Sequence, residues 1–170
     1  AEIRKGDTNH IGILGAPQWN SKFDPFTDWT FDNKIMFSCH RYGGDATLEA
    51  ITHFIDFRNK TALPMYMGEI GHNTLEWMEA FCKVMEDNNI GYTFWPYKKI
   101  EGSCFVSIGT PEHWDQVVAF SEASRDTYAA IREARPDQEL SRLAMQQFLE
   151  LCLFGNCSIE EDYIRALRLN

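Results

Sequence analysis

A chain of 170 residues, 44% hydrophobic and 14% aromatic, is long enough to bury one sizeable core, so residues 1–170 are expected to form a single domain. A net charge of -9, a pI near 5.0 and no run of Lys or Arg exclude a partner held by phosphate charge, whether nucleic acid or an anionic membrane surface. No apolar stretch approaches the ~20 residues of a membrane-spanning helix, and residues 1–7 are polar, with no signal-peptide core.

The five cysteines are Cys39, Cys82, Cys104, Cys152 and Cys157. None is spaced C-x-x-C, and no His stands at ligand spacing from a Cys pair, so no zinc site is expected. An odd count leaves at least one thiol unpaired. Cys152 and Cys157 flank Leu-Phe-Gly-Asn, a sequence that could turn and bring them into a disulfide or leave them as small buried hydrophobes.

In chain order, residues 1–5 resemble the end of a helix. Four apolar runs follow: Ile11 to Gly15, Ile35 to His40, Met65 to Glu69 and Ile90 to Trp95. They lack polar alternation, which predicts strands buried on both faces. Their ends are 25, 29 and 26 positions apart, the repeat of a βα unit in a barrel of ~250 residues. Between the first two strands, residues 16–33 show no periodicity and predict a long loop. Asp45 is expected to cap a helix with apolar face Leu48, Ile51, Phe54 and Ile55. Asn73 with Glu76 resembles a capping box for a helix packing through Met78, Phe81, Cys82 and Met85, ended by Asn88 and Asn89. Thr110 and Pro111 predict a third helix start, with Trp114, Val117 and Val118 on its buried face.

After Pro136, Leu140, Leu143, Ala144, Gln147, Phe148 and Leu151 keep a helical period. Ser158 with Glu161 predicts a last capping box and a helix through Leu169. Residues 1–135 thus read as four βα units and 136–170 as a helical extension. Four strands are half of a (β/α)8 barrel, and the chain is expected to begin partway through one. The alternative is a four-stranded open α/β sheet.

Active-site residues of such barrels gather at the C-terminal ends of the strands. Those positions hold Trp19 and Asn20, then His40 and Tyr42, then Glu69, then Trp95, with Lys98 close behind. A carboxylate for chemistry among aromatic rings for stacking suits a sugar site. His10, His53, His72 and His113 read as solvated or structural, Trp77 and Trp114 as helix-face core, and the charges of residues 133–139 as solvated surface.

Three motifs in order then resemble glycoside hydrolase family five, of the cellulase-like clan A. Pro64-Met-Tyr-Met-Gly-Glu69-Ile-Gly71 is similar to the segment around the catalytic nucleophile on the seventh strand. His40-Arg-Tyr42 is similar to the His-x-Tyr of the sixth, and Phe94-Trp95 to the eighth-strand Trp. The resemblance implies the C-terminal half of a TIM barrel, strands five to eight, with extra C-terminal helices. It implies a retaining β-glycan hydrolase, cellulase-like, secreted or periplasmic, needing no metal or cofactor.

Carried over residue by residue, Glu69 would be the nucleophile. Tyr42 would donate to it and favour its charged form. His40 would contact the substrate or the acid/base, and Trp95 would floor the sugar being cleaved. Trp19, Asn20 and Lys98 would line flanking subsites. The family's second carboxylate, in an Asn-Glu-Pro motif, has no counterpart here, and neither do the Arg and His of its early strands. The isolated chain is therefore expected to be inactive, and its partners to be a β-linked polysaccharide or oligosaccharide and an N-terminal half-barrel or a second copy. A noncatalytic carbohydrate-binding half-barrel and an inactive fragment are the alternatives.

Overall fold

The computed structural model describes residues 2–169. They form two compact units, one of residues 2–97 with 161–169, the other of residues 98–160.

The first unit is α/β. Helix α1 (Glu2–Gly6) leads into strand β1 (Gly12–Gly15), a one-turn segment α2 (Pro17–Asn20) and strand β2 (Ile35–His40). Helix α3 (Leu48–Thr61), strand β3 (Met65–Ile70), helix α4 (Leu75–Asp87) and strand β4 (Gly91–Phe94) follow, and helix α8 (Glu161–Ala166) returns to this unit. The four strands pair in sequential order, every neighbour parallel. Arg4 ties α1 to the strand starts, with Nε 2.5 Å from Asp32 and Nη2 donating to the Lys34 carbonyl at 2.8 Å.

Only β2 and β3 have the burial expected of strands covered on both faces. Phe37, Cys39 and Met67 are wholly buried, whereas β1 and β4 alternate. The reason is position: β1 and β4 are the sheet edges, and Ile11 and Ile13 are 62% and 56% exposed. The buried face packs on α3 through Ile51 and Phe54, and on α4 through Met78, Phe81, Cys82 and Met85, whose i, i+3, i+4, i+7 spacing makes one apolar stripe.

The long loop after β1 contains no regular helix between residues 21 and 34. Its aromatics do a helix's covering work. Phe23 and Phe26 meet Phe37 of β2 and Phe57 of α3 with ring centroids 4.9–6.3 Å apart, and Trp29 adds an edge contact to Phe57. Such contacts pack flat rings in offset or edge-on pairs and keep water from the sheet.

Helix starts differ from the sequence expectations. Thr47, not Asp45, caps α3, its side chain accepting from Ala50 N. Thr74, not Asn73, caps α4, accepting from Trp77 N. In both cases a β-branched hydroxyl in extended backbone stands one turn before the free N–H, the geometry a cap requires.

In the second unit, strands β5 (Lys98–Ile100) and β6 (Val106–Ile108) pair in parallel, and β7 (Ser158–Ile159) joins β6 antiparallel. Helices α5 (Trp114–Glu122), α6 (Tyr128–Glu133) and α7 (Gln138–Leu151) lie between them, followed by a 3-10 turn, Phe154–Asn156. Its small core holds Cys104, Val106, Ile108 and Ala144, with Trp114 stacked on Phe148 at 5.0 Å. Helix α5 begins at Trp114, after a left-handed His113, rather than at Pro111. Ser158 is a strand residue and not a helix cap, because its partner is Ser107 across the ladder. Cys152 and Cys157 are both free thiols. The Cys157 Sγ donates instead to the Leu151 and Leu153 carbonyls, 3.3 Å from each. No helix among the described residues is long and apolar enough to cross a membrane.

Candidate active site

The strand pair β2–β3 brings the acid and the imidazole together through an irregularity. Cys39 pairs with Met67, but the next pair is His40 with Glu69, so β3 carries one extra residue, Gly68. In a regular pleat Glu69 would share the face of Met67, which is completely buried. The bulge turns Glu69 to the face of His40 instead, which is how bulges re-aim side chains beside functional sites.

One hydrogen bond and one close ring nitrogen then converge on the same carboxylate oxygen. The Tyr42 hydroxyl donates to Glu69 Oε2 in a short hydrogen bond, and His40 Nδ1 stands 3.3 Å from the same Oε2. The Glu69 side chain retains 34% exposure and His40 retains 17%. Burial first, and the bond to Glu69 second, push the Tyr42 phenol well above the usual tyrosine range, so it stays a donor throughout the neutral region.

The loop carrying Tyr42 is held from β3's side. Asn73 Nδ2 donates to the Tyr42 carbonyl at 2.7 Å, Trp77 Nε1 donates to the Gly44 carbonyl at 2.6 Å, and Arg41 N donates to the Glu69 carbonyl at 3.1 Å. Trp77, expected as core, is half-buried and stacks on Phe81 at 4.6 Å while making this polar link.

Segment α2 is not a right-handed helix. Gln18, Trp19 and Asn20 have φ of 52°, 52° and 57°, three consecutive left-handed residues without a glycine. Such residues cost roughly 1–2 kcal/mol each, and strain of this kind gathers at functional sites. The turn leaves Trp19 87% exposed and directs Asn20 inward, its Nδ2 2.9 Å from His40 Nε2. Asn20, His40, Glu69 and Tyr42 are therefore one connected row.

Trp95 follows β4 and is 56% exposed. Its N–H donates to the Ile70 carbonyl at 2.7 Å, and its carbonyl accepts from the buried Tyr163 hydroxyl of α8 at 3.1 Å. The Trp95–Pro96 peptide is cis, and Gly71 takes φ 111° beside it, where a Cβ would lie 2.7 Å from the Trp95 carbonyl. Lys98 opens β5 in the second unit, with Nζ donating to the Cys152 carbonyl at 2.6 Å. No group of three or more His, Cys, Asp or Glu placed to hold a metal ion occurs among the described residues.

Gly68 permits the close approach at the bulge. A Cβ there would overlap Ser38 Oγ and lie 3.0 Å from His40 Nε2. Gly68→Ala is accordingly expected to lower stability by about 1–3 kcal/mol, the usual cost of overpacking. Urea denaturation would read it, and an unchanged midpoint would show that His40 and Ser38 yield freely.

The model of the Cellulase (glycosyl hydrolase family 5) family matches residues 1–100. The chain belongs to glycosyl hydrolase family 5. Among solved structures, Thermotoga maritima Cel5A, in complex with cellobiose, is 16% identical, with a TM-score of 0.49, 61% of this chain and 45% of that one covered. The cellulose synthase subunit Z of Clostridioides difficile gives the same identity and TM-score over 61% and 46%. A Thermomonospora fusca β-mannanase bound to mannohexaose is 29% identical over 41% of this chain and 23% of that one, with a TM-score of 0.32. The chain thus spans less than half the length of these structures. No curated protein sequence matches it.

In this family 5 chain, several residues that shape the site carry no strong sequence signal. Tyr163 lies 68 positions from the residue it holds, and Asn73 reads as a helix cap because capping and loop-pinning use the same residue types. Gly68 and Gly71, flanking Glu69, were the legible hint that the backbone there needs unusual room.

Proposed function

We propose that this chain is the nucleophile-bearing half, strands five to eight, of a retaining β-glycan hydrolase of the cellulase kind. The observation that carries the reading is the convergence of Tyr42 and His40 on Oε2 of Glu69. Anchoring one oxygen orients the carboxylate and leaves Oε1 to react. The half-barrel reading is supported by four parallel strands in sequential order and by the uncovered Ile11 and Ile13 at the edge strand.

In this mechanism Glu69 Oε1 attacks the anomeric carbon and forms a glycosyl ester while the bond to the leaving oxygen breaks. That oxygen takes a proton from an acid on the complementary half, and the same group, now a base, activates the water that hydrolyses the ester. The two carboxyl groups of such a pair stand ~5–5.5 Å apart. Tyr42 and His40 hold the Glu69 carboxylate as charge leaves and returns to it. The exposed rings of Trp95 and Trp19 supply stacking surface, Trp95 beneath the sugar being cleaved.

A 2-fluoro glycoside, which forms the ester but hydrolyses slowly, tests the reading on the chain supplied with an N-terminal half-barrel. Peptide mapping is expected to find the label on Glu69. A label elsewhere overturns the assignment, and oligosaccharide binding with neither label nor turnover favours a noncatalytic sugar-binding half-barrel. Trp95→Ala is expected to weaken cello-oligosaccharide binding by about 1–3 kcal/mol, by analogy with aromatic stacking on nucleic-acid bases. Titration calorimetry reads the change, and full affinity in a folded variant would remove Trp95 from the binding surface.

A further inference from the structure

Asn20 sits where a sugar contact is expected, yet its amide nitrogen is directed at the Nε2 of His40, 2.9 Å away. The other imidazole nitrogen, Nδ1, faces Glu69 Oε2 at 3.3 Å. An ionised carboxylate only accepts hydrogen bonds, so a neutral imidazole satisfies it by carrying its hydrogen on Nδ1. Nε2 is then a bare lone pair, and it needs a donor. An amide NH2 supplies one, whereas the amide oxygen in its place would set two acceptors against each other. The hydrogen positions along the row follow from this chemistry rather than from the amide's assignment.

The backbone is shaped around that contact. Asn20 is the last of three consecutive left-handed residues, and the chain holds this turn at Gln18, Trp19 and Asn20 without a glycine. Gly15, at the end of β1, lies against the amide: a Cβ there would overlap Asn20 Oδ1 and lie 3.2 Å from Nδ2. Two independent features, a strained turn and a side-chain-free strand end, thus place one amide.

We infer that Asn20 is a positioning residue for the reaction centre, acting through His40. It holds the imidazole in the Nδ1–H form, with that hydrogen on the side of the Glu69 carboxylate 3.3 Å away, and keeps Nε2 from carrying a hydrogen. The groups facing His40 are Glu69 from β3, with Tyr42 on the same carboxylate, while residues 17–20 bring no titratable side chain. The functional meaning rests on the nucleophile assigned above to Glu69, but the hydrogen placement does not.

Nitrogen-15 NMR of the chain tests it without any turnover. Among the five histidines, His40 is assigned by its disappearance in His40→Gln. In the unsubstituted chain at neutral pH, Nδ1 is expected to show a protonated shift and Nε2 an unprotonated one. A scalar coupling across the hydrogen bond should join Nε2 to the Asn20 amide nitrogen. Asn20→Asp keeps the volume and replaces the donor with an acceptor, so Nε2 is expected to gain a hydrogen. A hydrogen on Nε2 in the unsubstituted chain, absence of the coupling, or an Nε2 still bare in a folded Asn20→Asp variant would overturn the assignment. If the variant does not fold, the first two readouts on the unsubstituted chain still decide. If Glu69→Gln retained turnover, the hydrolase reading would fail while these signals stood unchanged.

Discussion

Glu69→Gln is expected to abolish whatever turnover the chain shows once its complementary half is supplied. The substitution preserves length and shape, and an amide can still accept from Tyr42 through its oxygen. What it removes is the anion. An amide oxygen is too weak a nucleophile to displace a sugar oxygen, so the covalent route closes. The bulge at Gly68 sharpens the test, because Glu69 is turned away from the buried face and its replacement leaves the core packing intact. Thermal unfolding should therefore be nearly unchanged while release of reducing sugar from carboxymethyl cellulose falls to background. Turnover persisting in a folded Glu69→Gln protein would mean that another group attacks the sugar. A loss of both fold and activity would be uninformative about chemistry, and Glu69→Asp, which keeps the charge but withdraws it by one methylene, would then serve. It is expected to retain weak activity.

The 170 residues alone are expected to show no glycosidase activity. In the proposed mechanism the proton donor stands on the complementary half, and losing a positioned proton donor costs typically 10²–10⁴-fold in rate. A second obstacle is structural. Strands β1 and β4 each pair on one side only, and Ile11 and Ile13 lie open to solvent. Parallel strands are stable chiefly when both faces are covered, and open edges template further pairing. The isolated chain should form dimers or larger assemblies, and a two-fold dimer would present the same patches to each other. It would also set the second Glu69 four strands away rather than three, too far for a retaining pair. Light scattering before and after addition of an N-terminal half-barrel, with activity measured on carboxymethyl cellulose, reads both effects. An active monomer would overturn the half-barrel reading, since it would require a second carboxylate within this chain.

What the sequence alone determined is what depends on neighbours along the chain. Apolar runs a βα repeat apart become four parallel strands, because short runs rich in Ile, Met and Phe between polar segments bury best in that form. The strand-end rule brings His40, Tyr42 and Glu69 to one end of the sheet, and these three are in contact. The stripe of α4 was legible down to its buried residues, whereas of the α7 period Ala144 is buried and Leu143 is 43% exposed. Elsewhere one residue type served several purposes. Asp45, Asn73 and Ser158 all look like helix caps, but Asp45 and Asn73 lose to Thr47 and Thr74, which stand at the right distance from the first free N–H, and Ser158 is taken up by strand pairing with Ser107. Likewise, strands free of polar alternation predict burial on both faces, which edge strands β1 and β4 cannot have.

Tertiary structure alone decided the rest. Whether Glu69 faces His40 or the buried core depends on a single extra residue in β3, and a bulge is a property of strand pairing rather than of either strand. The role of Asn20 emerges only when a left-handed turn brings it to a histidine 20 positions away. Trp95 is held by Tyr163, 68 positions later. The fate of Cys152 and Cys157 is of the same kind: a short loop permits a bridge, but the carbonyls of Leu151 and Leu153 already accept from the Cys157 thiol. Periodicity and spacing encode which residues are covered, because burial repeats along the chain. Which side chains touch across the fold is set by register, strain and room beside a glycine, and none of these repeats.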